Sequence, residues 1–483
     1  MIRSVKYMAA CFCLLIFLTS ESAKAKVELP AVISNGMVLQ QNSNAALWGR
    51  AKPGKMLRIT TSWDKKVYQT SVSTDGKWTT KVKTPKAGGP YEITFDDGDT
   101  FKLDNILIGE VWLASGQSNM EMPLKGFNNQ PVLGSDQAIS MAKNPQIRFF
   151  QVKNVSWKKP LENCEAAWVN TTPISARDFS AVAYFYAKIL NEKLNVPIGI
   201  IQADWGGTVI EAWMSKESLS KFSNEIKVPA EEDAVNKNKN TPSGLYNAMI
   251  KPVEGYGIKG VIWYQGESNR NKPDLYAKLF PAMVKQWRSD WKTGDFAFYF
   301  AQIAPYISNS ATLTPALQAL EPKVPVLREV QLQSLNHITN SGMAVLTDIG
   351  AENTIHPPDK ENVGKRLSYL ALANTYGNKK INWSGPTYKS MQVQDGKILL
   401  KFTAAEGLKF SGNESANFEV AGSDKVFHPA KASITKDGIL VSATEVSKPV
   451  AARYAFKAWT IGDLFNKYDL PASSFRTDSW EIK

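Results

Sequence analysis

Histidine and cysteine are nearly missing from this chain, with three of each among 483 residues. A structural zinc site takes four ligands at close spacing, and no two cysteines beyond the first 13 residues stand in one, so a zinc module is excluded by count. Any imidazole chemistry must use His337, His356 or His428. Long apolar runs are scarce too. One of eleven residues, Met8 to Leu18, follows Arg3 and Lys6 and precedes Ala23-Lys24-Ala25. A membrane span needs about 20 apolar residues. A short run between a positive start and a small-x-small site instead has the form of a secretory signal peptide over residues 1–25. Its removal takes Cys11 and Cys13 and leaves Cys164 alone, with no intrachain disulfide in an exported chain. The missing disulfides suit a bacterial periplasm or medium, and no stable membrane insertion is expected after cleavage.

What is present describes a folded protein: 43% apolar and 21% charged residues, and length for about three domains. Net charge is +12, about +10 without the leader. The lysines are scattered and no basic run interleaves with aromatics, so no nucleic-acid partner is expected. The surplus leans only slightly toward an anionic ligand.

Three periodicities divide the mature chain. Residues 26–107 alternate in short runs between the turns Lys52-Pro53-Gly54, Asp75-Gly76 and Gly88-Gly89-Pro90, as a small β-sandwich does. Over 108–378, buried strands expected at 106–114, 197–203, 260–264, 296–303 and 343–349 alternate with helices expected at 180–194, 245–253, 275–291, 328–339 and 362–376. That alternation predicts a doubly wound parallel α/β sheet. Short strands return over 379–483, around Asp395-Gly396 and Asp437-Gly438, and predict a second β region.

Ligands of open α/β sheets sit beyond the carboxyl ends of the strands. Four loops there carry Gly116-Gln117-Ser118-Asn119-Met120, Asp204-Trp205-Gly206-Gly207, Gln265-Gly266-Glu267-Ser268-Asn269, and Asp348-Ile349-Gly350 leading to His356-Pro357. Together they offer a hydroxyl nucleophile, N–H groups in glycine turns, an acid with amides, and a base, which is what acyl transfer requires. His337 falls in an expected helix and His428 in the C-terminal β region. Placement and elimination therefore leave His356 to activate Ser118. Ser118 lacks the Gly two residues on that a nucleophile elbow carries, so an N-capping serine is the alternative for that loop taken alone.

The strings from Gly109 to Met120, Trp263-Tyr264-Gln265-Gly266-Glu267-Ser268-Asn269, and Ile355-His356-Pro357 before Asp359-Lys360 resemble the sialate O-acetylesterase family, a carbohydrate acetylesterase branch of the SGNH hydrolases. The tail from Asn466 to Thr477 is similar to that family's closing segment, so the resemblance covers nearly the whole mature chain. It implies Ser118 as nucleophile, His356 as base, Gly206 or Gly207 as a backbone oxyanion donor, and Gln265 or Asn269 as an amide donor. The aspartate that many SGNH enzymes place three residues before the histidine is here Asn353, which leaves Glu267 or Asp348 to orient the imidazole, or neither. Trp205 is the aromatic expected to touch a sugar, whereas Trp263 and Tyr264 are expected in the core. Arg328 or Arg476 is available for a substrate carboxylate.

The resemblance implies removal of O-acetyl groups from sugar hydroxyls, of sialic acid first and of plant cell-wall glycans such as xylan or xyloglucan second, with no metal or organic cofactor. A catalytically silent carbohydrate-binding protein is the reading from another class.

Overall fold

In a computed structural model, residues 27–230, 238–307 and 320–482 are described, and the leader expected over 1–25 lies outside them. The central sheet holds β1 (Thr100–Gly116), β2 (Asn144–Gln151), β3 (Trp168–Thr171), β4 (Ile198–Asp204), β5 (Gly260–Tyr264), β6 (Ala297–Ala301) and β7 (Ser341–Ala344). Their order is β7-β6-β5-β1-β4-β2-β3, parallel throughout except for the antiparallel edge strand β3. β4 and β5 are buried at every position, as strands covered on both faces must be, and this makes their sequences continuous apolar runs.

Helices cover both faces. α2 (Ala181–Leu194) and α5 (Lys360–Leu370) share one apolar cluster with Ile198, Ile200 and Ile262. α3 (Pro273–Trp291) and α4 (Lys323–Ser334) share the opposite cluster with Val261, Trp263 and Phe298. Local signals set the ends. The Ser180 hydroxyl accepts from Ala183 N at 3.1 Å, Asn195 closes α2 at φ 54°, and Pro273 opens α3.

The first half of β1 belongs to an N-terminal sheet, pairing with Val38–Gln40 and Gly88–Asp96, while its second half is the central strand of the α/β core. A boundary drawn after residue 107 falls inside this one strand. Beyond α5, two four-stranded antiparallel sheets enclose a separate apolar core around Ile398, Phe418 and Tyr454. The tail then returns to the α/β core: Thr347 Oγ1 donates to Ala472 O at 2.7 Å, and Gln302 Nε2 to Ser473 Oγ at 2.8 Å. The architecture is therefore a doubly wound α/β core flanked by β regions.

Three local expectations differ. β2 and β3 are additional strands on one side of the sheet, β3 at its edge; Pro145 and the polar residues around the short buried run 147–150 mask the first. α4 lies five residues earlier than the apolar spacing suggests, which leaves His337 in an exposed turn past its end rather than within it. β7 stops at Ala344, so Asp348 stands in the loop that follows. No described helix is long and apolar enough to cross a membrane.

Candidate active site

β1 ends between β4 and β5, at the point where the strand order reverses. Gly116 makes the turn possible. Its φ is +142°, and a Cβ there would stand 2.1 Å from Tyr264 O, so a side chain would collide with β5. Gln117 fastens the loop, its N–H donating to Tyr264 O at 3.0 Å and its Oε1 accepting from Gly266 N and Ser268 N at 3.3 and 3.2 Å. Ser118 thus opens the single turn α1 (Ser118–Glu121), whose first N–H groups have no acceptor within the helix.

His356 Nε2 lies 2.7 Å from Ser118 Oγ, and His356 Nδ1 lies 2.6 Å from Gln130 Oε1. An amide oxygen only accepts, so Nδ1 carries the proton and Nε2 turns its lone pair to the hydroxyl. Thr354 braces the group, with its hydroxyl donating to Gln130 Oε1 at 3.3 Å and accepting from His356 N at 3.1 Å. The Phe127 ring packs edge-on to the imidazole at 5.2 Å. Burial, reinforced by the positive charge of Lys360, pushes the imidazole down to about 4, which keeps it neutral at physiological pH.

Opposite the histidine, Gly206 packs on Ser118; a Cβ there would fall 3.1 Å from Ser118 Cβ. Its N–H donates to Glu121 Oε2 at 2.7 Å, and Asn154 Nδ2 holds the other oxygen of that carboxylate at 2.7 Å. Gly207 turns at φ +72°, and its N–H has no protein acceptor among the described residues. The Lys239 ammonium donates to Gly206 O, and Asn240 Nδ2 to Gly207 O at 3.1 Å. Asp204, before the turn, is raised well above the ordinary carboxylate range by burial and then by the charge of Glu121.

The sequence model of the family described as carbohydrate esterase, sialic acid-specific acetylesterase matches residues 108–355. The chain belongs to that family. It is 30% identical to human sialate O-acetylesterase over 92% of this chain and 90% of the relative, and 28% identical to the mouse enzyme over 92% of each. A crystal structure of a carbohydrate acetylesterase from Xanthomonas citri superposes with a TM-score of 0.84 at 33% identity, covering 94% of this chain and all of the other. Membership in this family makes the chain a carboxylic ester hydrolase of acetylated carbohydrates.

Within this esterase, neither expected carboxylate contacts His356. Glu267 is 1% exposed and accepts from Asn119 Nδ2 at 2.5 Å; burial raises its carboxyl above the ordinary range. Asp348 is clamped by the Arg366 guanidinium at 2.7 and 2.6 Å. Asn353, three residues before the histidine, is exposed in a turn. The two amides are occupied elsewhere: Gln265 Nε2 donates to Thr208 O and Asn269 Oδ1 at 3.1 and 2.7 Å, and Asn269 Nδ2 to Glu211 Oε2 at 2.8 Å.

Trp205 is partly exposed beside Gly206, whereas Trp263 and Tyr264 are fully buried. Arg328 is 0% exposed and bonds Lys457 O and Ser474 Oγ, so it anchors the tail instead of a ligand. Arg476 pairs with Glu329 at 3.0 Å and is spent in the same way. Gln130 is the contact of His356 that the sequence did not reveal. It lies 226 residues from His356 in a loop, with no spacing or residue type to announce it.

Proposed function

We propose that this esterase removes O-acetyl groups from sugar hydroxyls through an acetyl-enzyme on Ser118, with His356 as the base and Gln130 holding its tautomer. One observation carries the reading: Ser118 Oγ, the His356 ring and Gln130 Oε1 lie in a hydrogen-bonded line of 2.7 and 2.6 Å. His356 takes the hydroxyl proton as Ser118 Oγ bonds to the acetyl carbon, and the carbonyl electrons move onto oxygen. The Ser118 and Gly207 N–H groups, both without protein acceptors among the described residues, are the donors that support this oxyanion; such a donor contributes about 3 kcal/mol. Collapse breaks the bond to the sugar oxygen, which takes the proton from His356. Water then repeats the sequence on the acetyl-enzyme, releasing acetate and restoring Ser118.

The preferred substrate class is O-acetylated sialic acid. The mammalian relatives that bear that name align over 92% of the chain, and the Lys239 ammonium at the glycine turn supplies a cation for a sugar carboxylate. Neutral acetylated plant glycans are the second reading, favoured by the Glu121 carboxylate next to Ser118, which opposes an anionic ligand. Acetate release measured side by side from 9-O-acetylated sialic acid and acetylated neutral oligosaccharides decides between them. Faster release from the sialic acid supports the first reading; turnover of the neutral sugars alone overturns it. In either case Ser118→Ala and His356→Ala are expected to lose at least about a thousandfold in kcat while remaining folded.

The leader-like residues 1–25 support export of a mature chain beginning near Lys26, in a bacterial periplasm or medium. N-terminal sequencing of the natural protein tests this, and a retained Met1 contradicts it.

A further inference from the structure

We propose that Glu267, Asn119 and Lys360 are positioning residues, a buried charge-amide-charge relay that seats the His356 segment on α1 and holds a cation one amide away from the backbone that carries Ser118 and His356. The proposal rests on the Ser118–His356 reading above. Asn119 follows Ser118 and is 0% exposed. Its Nδ2 donates to Glu267 Oε1 at 2.5 Å and to Ile355 O at 2.9 Å, and its Oδ1 accepts from Lys360 Nζ at 2.5 Å. Reversing the amide would set NH2 against an ammonium and oxygen against a carboxylate and a carbonyl, so a single orientation satisfies all three contacts. The residue after Ser118 thereby holds the residue before His356, and the two reacting side chains are registered through one amide.

A purely structural joint has no need of buried charge, which is costly to remove from water. Here Lys360 is 0% exposed, with its ammonium on Asn119 Oδ1 and 5.6 Å from the centre of the Tyr264 ring. Glu267 Oε2 is buried without a hydrogen-bond partner among the described residues. Burial pushes the Lys360 ammonium down to about 7 against the opposing charges of Glu267 and Asp359, so it stays charged throughout the acid range in which an imidazole titrates. The groups bearing on the ring can be named from each element around it. Lys360, at the start of α5, is the charge that bears on it; Glu267 and Asp359 favour the charged lysine, while burial raises the Glu267 carboxyl against its bond from Asn119 and the charges of Lys360 and Arg270. α1 and the 122–134 loop offer neutral Ser118, Asn119, Phe127 and Gln130, with Glu121 turned to Gly206 and Asn154. The cation thus opposes protonation of His356 and keeps the base available in acid.

The scarcity of histidine makes a direct test simple. The His356 imidazole is followed by proton NMR in the intact mature protein, identified by the signal lost in His356→Gln, and compared in the parent, Lys360→Met, and the doubly neutral Glu267→Gln/Lys360→Met, which guards against misfolding from an unbalanced charge. The midpoint is expected to rise by roughly one pH unit or more in both variants, with His337 and His428 unmoved, and the acid limb of kcat/KM on an aryl acetate to follow. An unchanged midpoint in a variant whose other two histidine signals are native overturns the relay. Asn119→Leu is expected to lower kcat roughly tenfold or more with KM little altered; unchanged kcat also overturns it. Failure of the Ser118–His356 reading looks different: His356→Gln would stay active while the NMR shift stood.

Discussion

At the scale of single residues, an amide stands where a carboxylate was expected. Gln130 fixes which nitrogen of His356 carries the proton but adds no negative charge to favour imidazolium. The base must be neutral to accept a proton, and its folded value lies below the ordinary 6.5, at about 4. Activity is therefore present above that value and lost as pH falls through it: kcat/KM should be level from about pH 5 upward and fall with a midpoint near 4. A midpoint near 6.5 contradicts the burial argument. Gln130→Glu should move the limb upward, because an opposite charge favours the protonated ring. Gln130→Leu should lower kcat about 10- to 100-fold at nearly constant KM in steady-state kinetics. The place of His356 beside Ser118 was legible because so few histidines compete for it. Gln130 was not, since long-range contacts of loop amides leave no trace in composition or period.

At the scale of elements, legibility followed burial. β5 is read directly because all five residues of Gly-Val-Ile-Trp-Tyr are buried, whereas β2 mixes exposed polar residues with a short core run. Helix packing depends on details that periodicity does not show. Gly364 lets α5 approach α2, since a Cβ there would sit 2.7 Å from Val182 O. Gly364→Ala should cost about 1–3 kcal/mol in denaturant unfolding. The Asp348–Arg366 pair fastens α5 to the loop after β7 with side chains only 12% and 8% exposed. Arg366→Met leaves a buried carboxylate unpaired and should cost about 3–5 kcal/mol, with kcat of the folded protein unchanged. A large fall in kcat without loss of stability would instead return Asp348 to the chemistry.

At the scale of the whole molecule, the change from β-sandwich to α/β periodicity was visible in the sequence, but the continuity of β1 across it was not. Because that strand pairs in both sheets, the N-terminal region and the core should unfold in one calorimetric transition; two resolved transitions would contradict the shared strand. The tail is tied in by Arg328, whose guanidinium looked available to a ligand only because the sequence does not reveal that it is buried. The acyl transfer proposed above requires that one hydroxyl in this chain, that of Ser118, carry the acyl group. Mass spectrometry of the whole chain after reaction with an aryl phosphonate, followed by peptide mapping, tests it most directly. One adduct per chain is expected, on the peptide holding Ser118, and none in Ser118→Ala. An adduct mapped to any other residue, or undiminished turnover of an acetylated sugar by Ser118→Ala, would contradict it.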